Sequence, residues 1–571
     1  MSSYILLGVC SLVVASASIL PPRSADIEFC LADQPCFPPP DVLAQFNASI
    51  SGRLHSERPI GAVCYKDGPS FNQAACIEVA KNTNSSNWRV EHFPTYQYIN
   101  SEVCAPTDNC NATTPVHNRT CDQGRIPNYS VHAETTQDVV EYVRFATRYN
   151  LRIVIKNTGH DLLGRSSGRG GFALWTHKLN GIQFNHTFTP EGCSANVDGG
   201  VITVGAGVQW GEAYKFANSV NRTIVGGGAS SVGSAGGFPL GGGYSLLSPS
   251  LGLGLNNMVQ MELVTADGQL RTISECSSPD LFWAVRGGGG GTWGATTKVT
   301  YRTHPRAEVY VVSFNALTAN MSESVVREIV LRWVKLAPTL GDLGVGGATM
   351  FSGKSLSIIA LAQPAFATLS TLKETMMPFT SWLAKQGVLS TDLESTVDGT
   401  PIYASYMDWY DFFTRSLASG PDSPAGGAGG SLPSRLVPRR YYESNPEGLA
   451  EILVGASKKD FIIIGMTGPL RFARDHPAAA NATSVTPAWY QSPWHIASGV
   501  TAPLLREFAK DGGAYFGESD ISEPNAAEAY WGSNYPALLR AKAKWDPNNV
   551  FQVWHGVGSP TLAAKAHSTC A

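Results

Sequence analysis

Apolar positions along the chain change period several times, and each change marks an element. From Val131 onward Thr135-x-x-Asp138 forms a helix-starting cap, and Val139, Val140, Val143 and Ala146 recur at helical spacing before Asn150, which predicts a short α-helix. The β-branched run Leu151 to Lys156 predicts a strand, so the local order is helix, strand, then the loop Asn157-Thr-Gly-His-Asp161. Val201 to Val204 reads as another strand, Trp210 to Asn221 as a helix, and Met258 to Ser274 as two strands around the turn Asp267-Gly268. Past Pro305 glycine thins out and strands alternate with amphipathic helices, including Glu323 to Lys335 and Leu372 to Lys385, which places the start of a second domain there. The stretch Gly420 to Ser434 buries too little apolar surface to order itself and reads as a surface excursion or a lid. Pro536 to Lys544 predicts a last helix, stopped at Asp546-Pro547, and no repeat recurs at a fixed period. The pattern is that of an α+β protein.

Composition narrows the class. A chain of 571 residues is long enough for two large domains, and 42 Lys plus Arg against 45 Asp plus Glu give a net charge of −3, without the positive field that holds nucleic acid. Only 15% of residues are charged and 43% are hydrophobic, which excludes a disordered chain. Residues 1 to 18 read as a signal peptide: a polar start, an apolar run from Ile5 to Val14, then small residues before Pro21. The run lacks a basic start, and a buried N-terminal helix is the alternative. No other run reaches the ~18–20 apolar residues of a membrane span, so a secreted, soluble product follows. Loss of Cys10 with the leader leaves ten of the 11 cysteines, an even number suited to an oxidising compartment. The cluster from Cys30 to Cys121 lacks the close pairs a zinc site needs, so bridges are favoured and no metal site is expected; Cys30 with Cys36 and Cys64 with Cys76 are the short-loop pairings. Glycan acceptors stand at Asn47, Asn84, Asn111, Asn118, Asn128, Asn185, Asn221, Asn320 and Asn481.

The 58 glycines are clustered. They gather in Gly205 to Gly211, Gly226 to Gly243 and Arg286 to Gly294, where missing side chains let backbone approach a bulky ligand and amide hydrogens surround phosphate oxygens. A dinucleotide-sized ligand is the economical explanation; a glycine-rich structural protein is the bland one, and it would repeat its glycines along the chain. The first stretch begins G-x-G after a strand, but Trp210 occupies the position where a Rossmann turn needs Gly or Ala, and no G-x-x-x-x-G-K-[S/T] occurs.

Four motifs in order carry a resemblance: Ile155-Lys-Asn-Thr-Gly-His-Asp-Leu-Leu-Gly-Arg-Ser-Ser167, Gly228-Ala-Ser-Ser-Val-Gly233, Asp280-Leu-Phe-Trp-Ala-Val-Arg-Gly-Gly-Gly-Gly-Gly291, and Asn534-Tyr535 with Trp545-Asp-Pro-Asn-Asn-Val-Phe551. Together they resemble the FAD-linked oxidases of the vanillyl-alcohol-oxidase and berberine-bridge-enzyme type, with secreted fungal members such as isoamyl-alcohol-oxidase-like proteins as the nearest look-alikes. The resemblance implies a two-domain fold. A disulfide-rich segment (19–124) precedes an FAD-binding PCMH-type domain (125–305). A substrate domain on an antiparallel sheet flanked by helices (306–520) follows, and a berberine-bridge-like segment (521–571) returns to the FAD domain. It implies that Ile155, Lys156, Asn157, Thr158, Gly159 and Asp161 cradle the FAD pyrophosphate and that His160 bonds covalently to the flavin 8α-methyl carbon. A lone loop histidine is ordinarily satisfied by hydrogen bonds; its place in the motif reverses that reading. Gly228, Ser230, Ser231, Gly233, Ser234 and Gly237 are implied as cofactor contacts, as is Arg286. Many relatives attach the flavin a second time through a cysteine where this chain has Ala229, and alanine forms no thioether, so attachment through histidine alone is expected.

Flavin chemistry requires a substrate carbon against the ring and a base for the neighbouring O–H or N–H. The implied candidates are Tyr535 with Asn534; Tyr530, Trp531, Trp554 and His555 lie nearby in sequence, against the alternative that they form an aromatic packing cluster. Tyr403, Tyr406, Asp408 and Tyr410 are pocket candidates or parts of a core helix. The expected function is a secreted FAD-dependent oxidoreductase that takes hydride from an alcohol or similar C–H donor and passes electrons to dioxygen, giving hydrogen peroxide. An oxidative cyclase or desaturase of fungal secondary metabolism, and a non-catalytic flavin- or carbohydrate-binding secreted protein, are the alternatives. Expected partners are a small-molecule substrate, dioxygen and N-linked glycans, with no nucleic acid and no membrane.

Overall fold

The computed structural model describes residues 29–559 apart from 67, 99–101, 103, 105–109, 111–120, 390–395, 398–399 and 418–431. The expected leader, Asn111, Asn118 and most of the Gly420 to Ser434 stretch lie outside the described residues. The helix Thr136–Arg148 starts where its cap predicts: Thr135 Oγ1 accepts from the Asp138 amide at 3.3 Å, and Asp138 Oδ2 accepts from the Thr135 amide at 2.8 Å. Its apolar face, Val139, Val140, Tyr142, Val143 and Ala146, is buried against the strand Phe172–Trp175, with the Tyr142 and Phe172 rings stacked at 5.3 Å. At about 1.5–3 kcal/mol per large buried side chain, this face holds the element in place.

Strand Phe172–Trp175 lies in a four-stranded sheet, parallel to Tyr129–His132 on one side and to Ile153–Lys156 on the other, with Leu54–Ser56 antiparallel at the edge. A five-stranded antiparallel sheet follows in the order Ile182–Asn185, Val201–Gly205, Ala295–Arg302, Met258–Val264, Leu270–Ser274. The remaining large sheet has eight strands, Val309–Leu317 and Ser355–Ala362 near its middle, and helices Glu323–Asp342, Leu369–Lys385 and Pro446–Ser457 pack over its apolar residues. This is the α+β architecture expected. Among the described residues no helix is long and apolar enough to cross a membrane.

Several boundaries differ from the periodicity. The helix begun at Glu323 runs to Asp342, past Pro338, because Ala337, Pro338, Leu340 and Gly341 are all buried and that packing outweighs the proline's missing donor. Trp210–Ser219 ends two residues before the expected Asn221, whose φ of 56° takes it out of the helical region. Tyr403 and Tyr406 lie on the strand Thr400–Tyr406, which replaces the core helix considered for them, while Asp408 caps the short helix Trp409–Phe412 and pairs with Arg306. Cys30–Cys36 and Cys64–Cys76 are bridged as expected, and Cys110–Cys121 and Cys193–Cys276 add two further bridges.

The C-terminal helix Tyr535–Trp545 returns the chain to the glycine run at 287–294. Lys542 Nζ donates to Thr292 O (2.7 Å), Phe551 O (2.6 Å) and Asp546 Oδ2 (2.7 Å), and the Asp546 carboxylate accepts from the amides of Val550 and Phe551 at 2.7 and 2.9 Å. Both side chains are buried, so the Trp545-to-Phe551 motif is a satisfied ionic knot. Lys542→Met is expected to lower the unfolding free energy by about 3–5 kcal/mol, the usual cost of leaving a buried partner charge unpaired. A denaturant midpoint measured on both proteins checks it.

Candidate active site

The strand Ile153–Lys156 aims alternate side chains to opposite faces and then releases the chain into the loop 157–161. That loop borders a cavity of about 300 Å³ whose lining includes Ile155, Asn157, Thr158, Gly159, His160 and Asp161. Glycines of the second and third clusters line this cavity, while the first contributes Ala206. Gly207, outside the lining, packs so tightly that a Cβ would stand 2.0 Å from His177 O, whereas a Cβ on Gly237 would meet nothing within 4 Å. Gly233, Gly236, Gly290 and Gly291 complete the backbone walls. Thr158 Oγ1 accepts from the Gly233 amide at 3.2 Å and so ties the first loop to the second.

His160 is partly buried in this lining, and its Nε2 lies 2.9 Å from Ser231 Oγ. Burial, reinforced by the ammonium of Lys156, pushes the His160 imidazole down to about 4, so the ring is neutral near pH 7. Lys156 itself is directed away from the cavity. Its Nζ donates to His92 O, Phe93 O and Thr95 O at 2.9, 2.9 and 2.6 Å and sits 4.8 Å from the centre of the Tyr96 ring. This cage fastens the N-terminal segment to the back of the histidine loop, where the Gln97 amide also donates to Gly159 O at 3.1 Å.

The same cavity takes in a residue run that sequence reasoning passed over. Tyr515, Phe516, Gly517 and Glu518 all line the cavity. Ser434, on the edge strand Ser434–Leu436, accepts from the Tyr515 amide at 3.2 Å and donates to Glu518 O at 2.6 Å, which fixes the loop to the large sheet. Glu518 Oε1 accepts from Tyr244 Oη at 2.7 Å, and Oε2 lies 3.7 Å from His495 Nδ1. Burial raises the Glu518 carboxyl to about 7, against the lowering effect of the Tyr244 hydrogen bond, and burial pushes His495 down to about 3. The site therefore holds a carboxyl poised to exchange a proton near neutral pH and a neutral imidazole beside it. The signal was present in sequence as a lone carboxylate preceded by a glycine and two aromatics, but no periodic pattern marks it.

Other expected contacts stand elsewhere. Asn534 Nδ2 donates to Val485 O at 2.8 Å at the start of the last helix, and Tyr535 stacks on Trp531 at 5.5 Å, so both serve packing outside the cavity lining. Arg286 pairs with Glu275 at 3.0 Å over the Phe282 ring, also outside it. Gly228, Ser230 and Ser234 lie behind the lining: Ser230 packs on Gly211, and Ser234 Oγ donates to Val208 O at 2.8 Å. Tyr403 and Tyr406 contribute nothing to the cavity, while Asp408 and Tyr410 border only a water-sized recess of about 10 Å³. Ala229 does line the cavity, as do Tyr98, Arg165, Ser166 and Phe238, which the sequence did not single out.

A dinucleotide fits this donor set. Asn157 Oδ1 and Ser166 Oγ belong to lining residues, are buried, and have no partner among the described residues, while Gly237 leaves room that a side chain would fill. Glycine loops, a neutral histidine and a poised carboxyl around one cavity fit a flavin-dinucleotide oxidoreductase. The profile of an FAD binding domain matches residues 127–274, and that described as berberine and berberine like matches 514–558. FAD-linked oxidoreductase ZEB1 of Gibberella zeae is 32% identical, covering 97% of this chain and 95% of its own, and FAD-linked oxidoreductase easE of Arthroderma otae is 31% identical, covering 92% and 88%. The crystal structure of the VAO-type flavoprotein MtVAO615 from Myceliophthora thermophila superposes with a TM-score of 0.79 at 28% identity, over 93% of this chain and 97% of that one. The chain belongs to the FAD-linked oxidoreductases of the vanillyl-alcohol-oxidase and berberine-bridge type, with their two-domain PCMH-type fold.

Proposed function

We propose that this chain is a secreted oxidase that dehydrogenates an alcohol or similar C–H donor, with FAD held covalently through His160 alone and dioxygen as the electron acceptor. One observation carries the reading: a single cavity is lined by both His160 and Glu518. Bound FAD supplies a hydride acceptor at N5 of its ring. Glu518, as carboxylate, takes the proton of the substrate O–H while the adjoining C–H leaves as hydride; Tyr244 holds the carboxylate's other oxygen edge in place by its hydrogen bond. The balance is one alcohol and one dioxygen to one carbonyl and one hydrogen peroxide. His160 is suited to the tether because its neutral ring keeps a nucleophilic lone pair. The linkage would replace a methyl C–H and the imidazole N–H, and the two protons and two electrons released would pass to dioxygen as hydrogen peroxide. Ala229 in the lining supports a single tether, since its methyl group has no sulfur to offer. The bridges at Cys30–Cys36 and Cys64–Cys76 support an oxidising compartment. Purified protein is expected to be yellow and to release peroxide aerobically with a member of a panel of primary alcohols and oligosaccharides. A yellow protein that no donor bleaches under anaerobic conditions would sink the oxidase reading and leave a flavin carrier.

A further inference from the structure

Arg165 belongs to the histidine loop and touches the loop that carries Glu518. Its side chain is only 4% exposed. Nε donates to Asp161 Oδ2 at 2.8 Å and Nη2 lies 2.7 Å from the same oxygen, so one edge of the guanidinium is spent on the residue next to His160. Asp161 Oδ1 meanwhile accepts from the amides of Leu163 and Arg165 at 3.1 and 2.8 Å, which makes the loop and its arginine one rigid unit. Nη2 also donates to Phe516 O at 2.8 Å, 351 residues away, and the guanidinium carbon stacks 3.8 Å from the Phe516 ring centre. Phe516 is two residues from Glu518. From the other side, the buried Glu523 carboxylate pairs with Arg435 at 2.6 Å and with Arg506 at 2.9 Å, which fastens the far end of the same loop to the large sheet.

We infer that Arg165 is the positioning residue that fixes Glu518 against the loop bearing His160, so that the proton acceptor and the flavin attachment point are held in one register. The inference rests on the reading of Glu518 as that acceptor. The two-sided fork is what the task requires: one planar group reaches a carboxylate and a carbonyl while stacking on a ring, which an ammonium cannot reproduce. A displacement of about 1 Å between reacting groups costs about a hundredfold in rate, so a tie of this kind matters even where it touches no substrate.

The test uses the flavin itself as reporter and needs no substrate. The visible spectrum of the purified holoenzyme is followed from pH 5 to 9, in wild type, Glu518→Gln, Arg165→Lys and Arg165→Met, with covalent flavin and melting temperature measured on each. Groups facing Glu518 titrate well outside that window, Tyr98, Tyr244 and Tyr515 above it and His495 below; Lys156, which burial lowers to about 7 behind the His160 loop, titrates inside it, and the part of the transition lost in Glu518→Gln is the part assigned to the carboxyl. Wild type is expected to show a spectral midpoint near 7, Glu518→Gln to lack it, and both Arg165 variants to keep covalent flavin while the midpoint moves by about half a unit or more. Lysine is expected not to rescue. An unmoved midpoint in a folded, yellow Arg165→Lys protein overturns the inference, and so does a variant that folds but carries no flavin, since Arg165 would then be a cofactor holder. If the midpoint persists in Glu518→Gln, the reading of Glu518 falls and this inference with it, and the two failures are told apart by that variant alone.

Discussion

Glu518→Gln is expected to lower kcat/KM by about 10²–10⁴-fold, the usual contribution of a positioned general base, while covalent flavin stays at the wild-type level. The amide keeps the shape and still accepts from Tyr244, but it takes no proton. The pH dependence has a definite sign. The reactive form is the carboxylate, so wild-type kcat/KM rises as the pH passes upward through about 7 and then levels, and the variant loses that limb. Stability runs the other way: a carboxyl whose folded value is raised above the 4.5 of the free group opposes the folded state once ionised, so its penalty grows between 4.5 and about 7. Glu518→Gln therefore melts no lower than wild type at pH 8. A variant that keeps its full turnover on the donor found by peroxide release refutes the assignment.

His160→Ala is expected to abolish covalent attachment altogether. After acid precipitation the wild-type pellet is yellow and the variant's is white, and mass spectrometry of the peptide spanning Asn157 to Arg165 finds added flavin mass only in wild type. Any flavin that the variant retains sits in the glycine walls and is released by acid. Burial and the neighbouring Lys156 hold the imidazole neutral down to about 4, so attachment is expected across the whole neutral range. The same depression means that the unfolded chain takes up a proton between 6.5 and about 4 that the folded chain refuses, so this histidine weakens the folded state as the pH falls. Covalent flavin in the variant would mean that a different side chain carries the bond.

The loop around His160 was legible in sequence because its chemistry is local. A capped helix, a β-branched strand and a glycine-bearing turn follow one another within thirty residues, and the structure reproduces each. The wall from Tyr515 to Glu518 was not legible for a physical reason. Tyr515 to Glu518 reach the cavity through tertiary ties, Ser434 on one side and Arg165 on the other, that leave no period in the chain. Asn534 and Tyr535 look like a reaching pair because they stand in a family motif, yet in this fold they start the helix that carries Lys542, and the reaching is done twenty residues earlier. Arg286 misled similarly: an arginine before five glycines suggests phosphate, but its guanidinium faces Glu275. Lys156 was expected to cradle the cofactor, but strand alternation turns it to the other face, where it holds the carbonyls of His92, Phe93 and Thr95.

The cavity draws its walls from both ends of the chain, beginning at Tyr98 and closing with Val553. A ribosome delivers the histidine turn hundreds of residues before it delivers the Tyr515-to-Glu518 wall of the same chamber. A product truncated ahead of that wall would leave translation with the histidine turn but without the carboxyl that completes the chamber.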